Sequence, residues 1–240
     1  MSDSSRLATL AFGKKPVGMQ LTFFQLTNVQ IAEIDSVLND DIIDSAYDSA
    51  ISYAEAVAGL RKKQIAWSIV RLYYSAFYSL RTIMLLNKVV PFNFKSEYLI
   101  DLKANMFLHG GKSSHRWNWN AFAKLGSLKG HWPYSGDSQN AYDQLREYRE
   151  DVSYRYSFPD PKLHQCLITS ESDIARRIRI YRDDSKFFYT YLIDHLVVSY
   201  PTKLIYFVDQ EVSNMRLAIS SERAKHLRSV WPIPDRCPLT

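Results

Sequence analysis

Apolar positions fall into a helical rhythm over most of this chain, most clearly between Ala66 and Leu86. There Ala66, Ile69, Val70, Tyr73, Ala76, Phe77, Leu80, Ile83 and Met84 recur at three- and four-residue spacing, with no Gly or Pro. That period places them on one side of an α-helix of about six turns. A second stripe at the same spacing, Trp67, Arg71, Tyr74, Tyr78 and Arg81, lies on the other side. It is amphipathic, so the helix is expected to pack on two flanks: a core on one, and a subunit interface or the wall of a site on the other.

The same reading predicts the neighbours. Asn39 or Asp40 can cap a helix, and Asp40, Asp41 and Asp44 suit its positive end. Ile43, Ala46, Tyr47, Ala50, Tyr53, Ala54 and Val57 then follow in register, with Gly59 as the expected stop. Two long helices joined by a few residues should be antiparallel neighbours. A further helix is predicted from Ser138 to Tyr156, with Ala141, Leu145, Tyr148 and Val152 inward. Another begins near Ser170, carrying its stripe through Ile174, Ile178, Tyr181, Phe188 and Leu192. Pro201 reads as a break, KLIYFV at 203–208 as strand-like, and Glu211 to Val230 as a last basic helix.

Elsewhere the pattern is weaker. Residues 1–18 are polar and include Gly13, Pro16 and Gly18, which predicts a loosely docked arm, and LTFFQL at 21–26 is a strand or simply packs down. Pro91 closes the central helix region. EYLIDLKANMFLHGG fits a strand pair or a short helix equally, HRWNWNAFAKLG a short helix, and Gly126 to Gly136 a loop. The organisation expected is an arm over 1–38, a helical domain over 39–195 with an irregular insertion, and a C-terminal extension over 196–240.

Composition narrows the chemistry. The 240 residues include 16 Tyr, 12 Phe and 5 Trp, and so many tyrosines cannot all be core, since each buried hydroxyl needs a partner. A net charge of +5 is compatible with an acidic partner without requiring one. Cys166 and Cys237 belong to no paired motif and the six His are scattered, so neither a disulfide framework, a metal site nor any cofactor is expected. No run approaches the roughly 18 apolar residues of a membrane span, and no secretory pattern opens the chain, which gives a cytoplasmic expectation. His109-Gly110-Gly111-Lys112-Ser113 is not a phosphate loop, because Met106 stands where its first Gly belongs. Arg176, Arg177, Arg179 and Arg182 can neutralise phosphates, yet the interspersed acids equally give a solvated mixed-charge face.

The most informative pairing is LYYSAFYSLR in the central helix with LREYREDVSYRY in the later one. Together, over roughly residues 40 to 195, they resemble the HEPN superfamily of all-helical, commonly dimeric domains. Its toxins cleave RNA without metal through an Arg and a His with four to six residues between them, often followed two residues later by a Tyr. By that resemblance Arg149 matches the Arg, Tyr154 stands in the place of the His, and Tyr156 matches the Tyr. Glu150 replaces an Asn often found there.

The departure matters, because 2′-hydroxyl attack needs a group that titrates near neutrality. An ordinary Tyr, with pKa about 10, is a poor base there. Arg149, with Arg146, Arg176 and Arg179, would then hold a phosphate more readily than cleave beside one. Alternatively, Arg149 pairs with Glu147, Glu150 or Asp151 and Tyr154 is packing. The resemblance implies an all-α, antiparallel HEPN-like bundle that works as a homodimer or a subunit of a larger complex. It also implies a prokaryotic toxin–antitoxin or antiviral setting. Three roles stay open: an accessory or sensor subunit binding RNA, a nucleotide or a protein; a divergent metal-independent ribonuclease using Arg149, Tyr154 and Tyr156; and a purely structural subunit.

Overall fold

The structure, a computed structural model, describes residues 2–111, 135–155, 167, 171–231, 233 and 237–240. It is predominantly helical, with eight α-helices and a small three-stranded sheet among the described residues. The chain divides into two compact units. One holds Met1–Asp44 and Arg81–Tyr134, the other Ser45–Leu80 and Ser135–Thr240. Helices α3 (Leu38–Arg61) and α4 (Ile65–Leu86) each contribute to both.

In the first unit, helix α1 (Asp3–Gly13) occupies the stretch read as a loose arm. Ser2 caps it, and the Asp41 carboxylate accepts the free N–H groups of Asp3 (3.1 Å) and Ser4 (2.8 Å). Unmet helix-end donors are thus satisfied from 37 and 38 residues away, which local periodicity cannot reveal. Arg81 also donates to the Ser2 and Ser5 hydroxyls. A capping box at Thr27 and Gln30 starts α2 (Asn28–Ser36).

The all-α expectation is corrected here. Strands β1 (Val89–Asn93), β2 (Glu97–Asp101) and β3 (Met106–Gly111) form an antiparallel sheet in that order. Pro91, expected to close the helix region, sits inside β1 at the sheet edge, where the missing donor costs least. Left-handed Lys88, Lys95 and Asn105 make the turns between elements. The Asp101 carboxylate gathers the N–H groups of Lys103 and Ala104 within the last turn. Phe12 of α1 packs against Phe24, Phe92, Phe94, Tyr98 and Phe107 at centroid distances of 4.6–5.8 Å, which gives this unit its core. LTFFQL packs down rather than pairing as a strand, with Phe24 and Leu26 buried.

In the second unit, α3 and α4 are antiparallel, as their short connection predicts. Ser45 Oγ donates to Tyr78 O (3.1 Å), Ser49 to Ser75 O (2.9 Å), and Arg71 pairs with Glu55 (2.9 Å). Gly59 lies inside α3 rather than ending it. A Cβ there would meet Ser68 Oγ at 2.5 Å, so the glycine serves the close approach of the two helices.

Helix α5 (Gly136–Glu150) is capped by Ser135 and runs into a π-helical turn over Asp151–Arg155. Helix α6 (Glu171–Asp183) ends before the predicted stripe does, leaving Phe188 and Leu192 outside it and exposed at 67% and 40%. Helix α7 (Leu196–Asn214) absorbs both Pro201 and the strand-like KLIYFV. There Leu196, Tyr200, Leu204, Ile205, Val208 and Val212 are buried at helical spacing, and that burial outweighs the β-propensity of the segment. The single last helix expected over 211–230 is two. Left-handed Arg216 ends α7, with Arg216 N–H bonded to Ser213 O and Leu217 N–H to Val212 O, and α8 (Ser221–Val230) starts afresh.

Candidate functional site: an arginine among tyrosines

Four residues separate Leu145 from Arg149 on α5, so Arg149 follows Ala141, Tyr142 and Leu145 along the buried stripe. A charged side chain therefore begins in the interior of the second unit. Its guanidinium lies among aromatic rings, with Cζ 5.5 Å from the Tyr73 centroid, 5.8 Å from Tyr74 and 5.3 Å from Tyr154. Arg149 Nη2 donates to the Tyr74 hydroxyl at 3.2 Å, while Nε is buried with no hydrogen-bond partner. Tyr73 shares a 3.0 Å hydrogen bond with Tyr142 behind the cage.

The π-turn makes this arrangement. In continuous α-helix, residues five apart lie about 140° from each other around the axis. A turn wound for i→i+5 bonding returns residue i+5 to nearly the same face. Tyr154 therefore comes back over Arg149 while remaining 69% exposed, so the cage has one solvent-facing aromatic lid.

Burial works against the charge on Arg149, but the Tyr74 hydrogen bond and the surrounding phenol oxygens outweigh it and hold the guanidinium above its ordinary range. Burial pushes the Tyr73 and Tyr142 phenols well up, so both stay neutral donors near pH 7. The site is thus a fixed cation in a neutral aromatic setting. The pairing of Arg149 with an acid of its own helix does not occur among the described residues. Glu150 instead lies 3.7 Å from Arg146, which also pairs with Asp143 at 3.1 Å.

The other candidates disperse. Arg146 is neutralised on α5 itself, while Arg176 and Arg179 stand exposed on α6. Tyr156 lies outside the described residues, as do Lys112, Ser113, Cys166 and the whole of HRWNWNAFAKLG. Of the amphipathic stripe on α4, Tyr74 faces Arg149, and Tyr78 stacks on Tyr74 at 6.2 Å. Half-exposed Trp67 carries the Arg71 guanidinium 4.7 Å above its ring, and Arg71 is also bonded to Glu55. Arg81 belongs to the first unit, bonded to α1.

A second cluster was not visible in the sequence. His195 Nδ1 lies 2.7 Å from the Tyr181 hydroxyl, and both line a small crevice with Arg177, Asp194, Leu60, Leu167, Ile174 and Val198. Burial, then the nearby Arg177 charge, lowers the His195 pKa against the opposing pull of Asp194. These residues come from separate elements at no motif spacing, and a lone His carried no signal. Among the described residues no group of three or more His, Cys, Asp or Glu could hold a metal ion, and no helix is long and apolar enough to cross a membrane. Comparison with protein-family models, curated proteins and solved structures finds no match to this chain.

Proposed function

We propose that the chain is a HEPN-like accessory or sensor subunit that binds a phosphate-bearing ligand, RNA or a nucleotide, at the Arg149 cage without cleaving it. The observation that carries this is the guanidinium itself. It is partly buried, has a buried Nε with no partner, and has no carboxylate within the described residues to neutralise it. A phosphate oxygen would complete its hydrogen bonding and balance its charge. Exposed Tyr154 offers the adjacent base a stacking face. The toxin–antitoxin or antiviral setting, and assembly as a homodimer or within a larger complex, follow from the HEPN resemblance.

Against catalysis stands the chemistry of the neighbours. Every described ring around Arg149 is a tyrosine, and none is a histidine able to exchange a proton near neutrality. The ribonuclease reading keeps one foothold, that Arg149 and Tyr154 do meet.

One experiment separates the two: a short single-stranded RNA incubated with wild type and Arg149→Ala in EDTA, followed by fluorescence anisotropy and by gel. Expected is intact RNA with both proteins, and affinity at least tenfold weaker for the variant. RNA cut by wild type alone would make the protein an enzyme. Equal affinities would remove the cage as the binding site.

A further inference from the structure

On the far side of α5 from Arg149 lies a groove with different chemistry. It holds about 210 Å³, is partly open to solvent, and is lined by Asp137, Asn140, Ala141, Gln144, Tyr191, Ile193 and Leu196. Asn140 and Arg149 are nine residues apart on one helix, hence about 180° apart around its axis. Groove and cage are separate places.

One wall carries two carboxamides at i and i+4, Asn140 and Gln144, with the Asp137 carboxylate a turn before them. Residues so spaced stand side by side on a helix face. None of the three has an intramolecular hydrogen bond or ion pair among the described residues. The facing wall is Tyr191, Ile193 and Leu196, with Ile193 50% exposed. Beside it, Tyr191 OH lies 3.4 Å from Ser135 Oγ, at the N-cap of α5.

We propose that this groove is a second binding site, and that it takes a neutral nitrogen heteroaromatic of the adenine type, as a base or nucleoside. A flat ring between an aromatic-aliphatic wall and a carboxamide wall buries its faces on the first and offers its edge to the second. A carboxamide presents a donor and an acceptor together, the pattern that pairs with adenine N7 and its amino group. Guanine presents two acceptors on that edge, so one would face a carboxamide oxygen. Among the described residues no cation lines the groove and Asp137 stands in it, so a phosphate on the ligand is disfavoured. The inference is independent of the cage, which selects for phosphate.

Isothermal titration of the full chain with adenosine, AMP and guanosine tests it, using wild type, Asn140→Ala/Gln144→Ala and Arg149→Ala. Asn140 is exposed and Gln144 partly so, and neither side chain has a partner to lose among the described residues, so the double variant should keep its fold, which circular dichroism verifies. Expected is saturable adenosine binding, weakened at least tenfold in the double variant and unchanged in Arg149→Ala, with guanosine several-fold weaker, and AMP several-fold weaker than adenosine at low salt in Arg149→Ala, where the cage cannot hold its phosphate. The proposal is overturned by absence of saturable adenosine binding, or by binding indifferent to the double variant. Binding lost in Arg149→Ala overturns it too, because that places the ligand in the cage.

Discussion

At the scale of single residues, the cage separates charge from stacking. Replacing Tyr154 by Phe keeps a ring over Arg149, whereas Ala removes it. Base stacking on an aromatic is worth about 1–3 kcal/mol. Tyr154→Ala should therefore weaken RNA binding by roughly five- to 150-fold, and Tyr154→Phe should leave it near wild type in the same anisotropy measurement. A loss as large in Phe as in Ala would give the work to the hydroxyl and reopen the acid-catalyst reading. His195 makes a prediction of another kind. Its pKa is lowered in the folded chain, so between that value and the unfolded one, about 6.5, the unfolded state binds more protons. The stability it contributes is present above about pH 6.5 and is lost as the pH falls through the folded value. Arg177 and Asp194 are the charged groups beside it, and the N-terminal end of α7 adds to the repulsion of an imidazolium. His195→Asn keeps an acceptor for Tyr181 and cannot charge. Urea melts across pH 5 to 8 should therefore show wild type losing stability on acidification faster than the variant, and parallel curves would show that His195 does not titrate against the fold.

At the scale of elements, the sequence was most legible where burial and local pattern agree and least where a distant group decides. Helices α3, α4 and α5 were each predicted within a few residues, because an uninterrupted apolar stripe needs no outside help. Helix α1 was missed because its N–H groups are capped by Asp41 and its inner face is completed by aromatics from the sheet, neither of which is local. Asp41→Ala should accordingly release α1. Losing a charged cap costs about 1–2 kcal/mol, and amide exchange should quicken over residues 5–12 with little change in α4. Uniform quickening would mean α1 is not a separate cooperative segment. Gly59 shows the same limit, since a glycine in a helical run reads as a stop until the helix opposite is known. Gly59→Ala should destabilise, because its methyl meets Ser68 Oγ, and Ser68 would surrender its 2.8 Å bond to Gln64 O to make room. In a Ser68→Ala background the obstructing atom is gone. The helical preference for Ala over Gly, about 0.5–1 kcal/mol, should then show as stabilisation. A change of sign between the two backgrounds in thermal melts is the result that ties Gly59 to helix approach.

At the scale of the whole molecule, the question is whether the +5 net charge or one placed cation governs contact with nucleic acid. The cage residues were named from a motif resemblance, but what makes them a site was not in the motif. It is the π-turn that brings Tyr154 back to Arg149, while Arg146 takes Asp143 and Glu150 and Arg149 has no ion pair with an acid of its own helix among the described residues. The exposed arginines of α6 looked equally suitable in the sequence, and Arg182 is paired with Asp183. A basic surface and a single clamp differ in their response to salt. Each phosphate neutralised on a single strand contributes about −0.7 to the slope of log K against log salt. Binding at the cage alone should thus give a slope near −0.7 to −1.5, one or two phosphates, and Arg149→Ala should flatten it by about 0.7. A slope steeper than about −3 that survives Arg149→Ala would instead describe a diffuse cationic surface of at least four contacts, and Arg176 and Arg179 would be the first residues to reverse in charge.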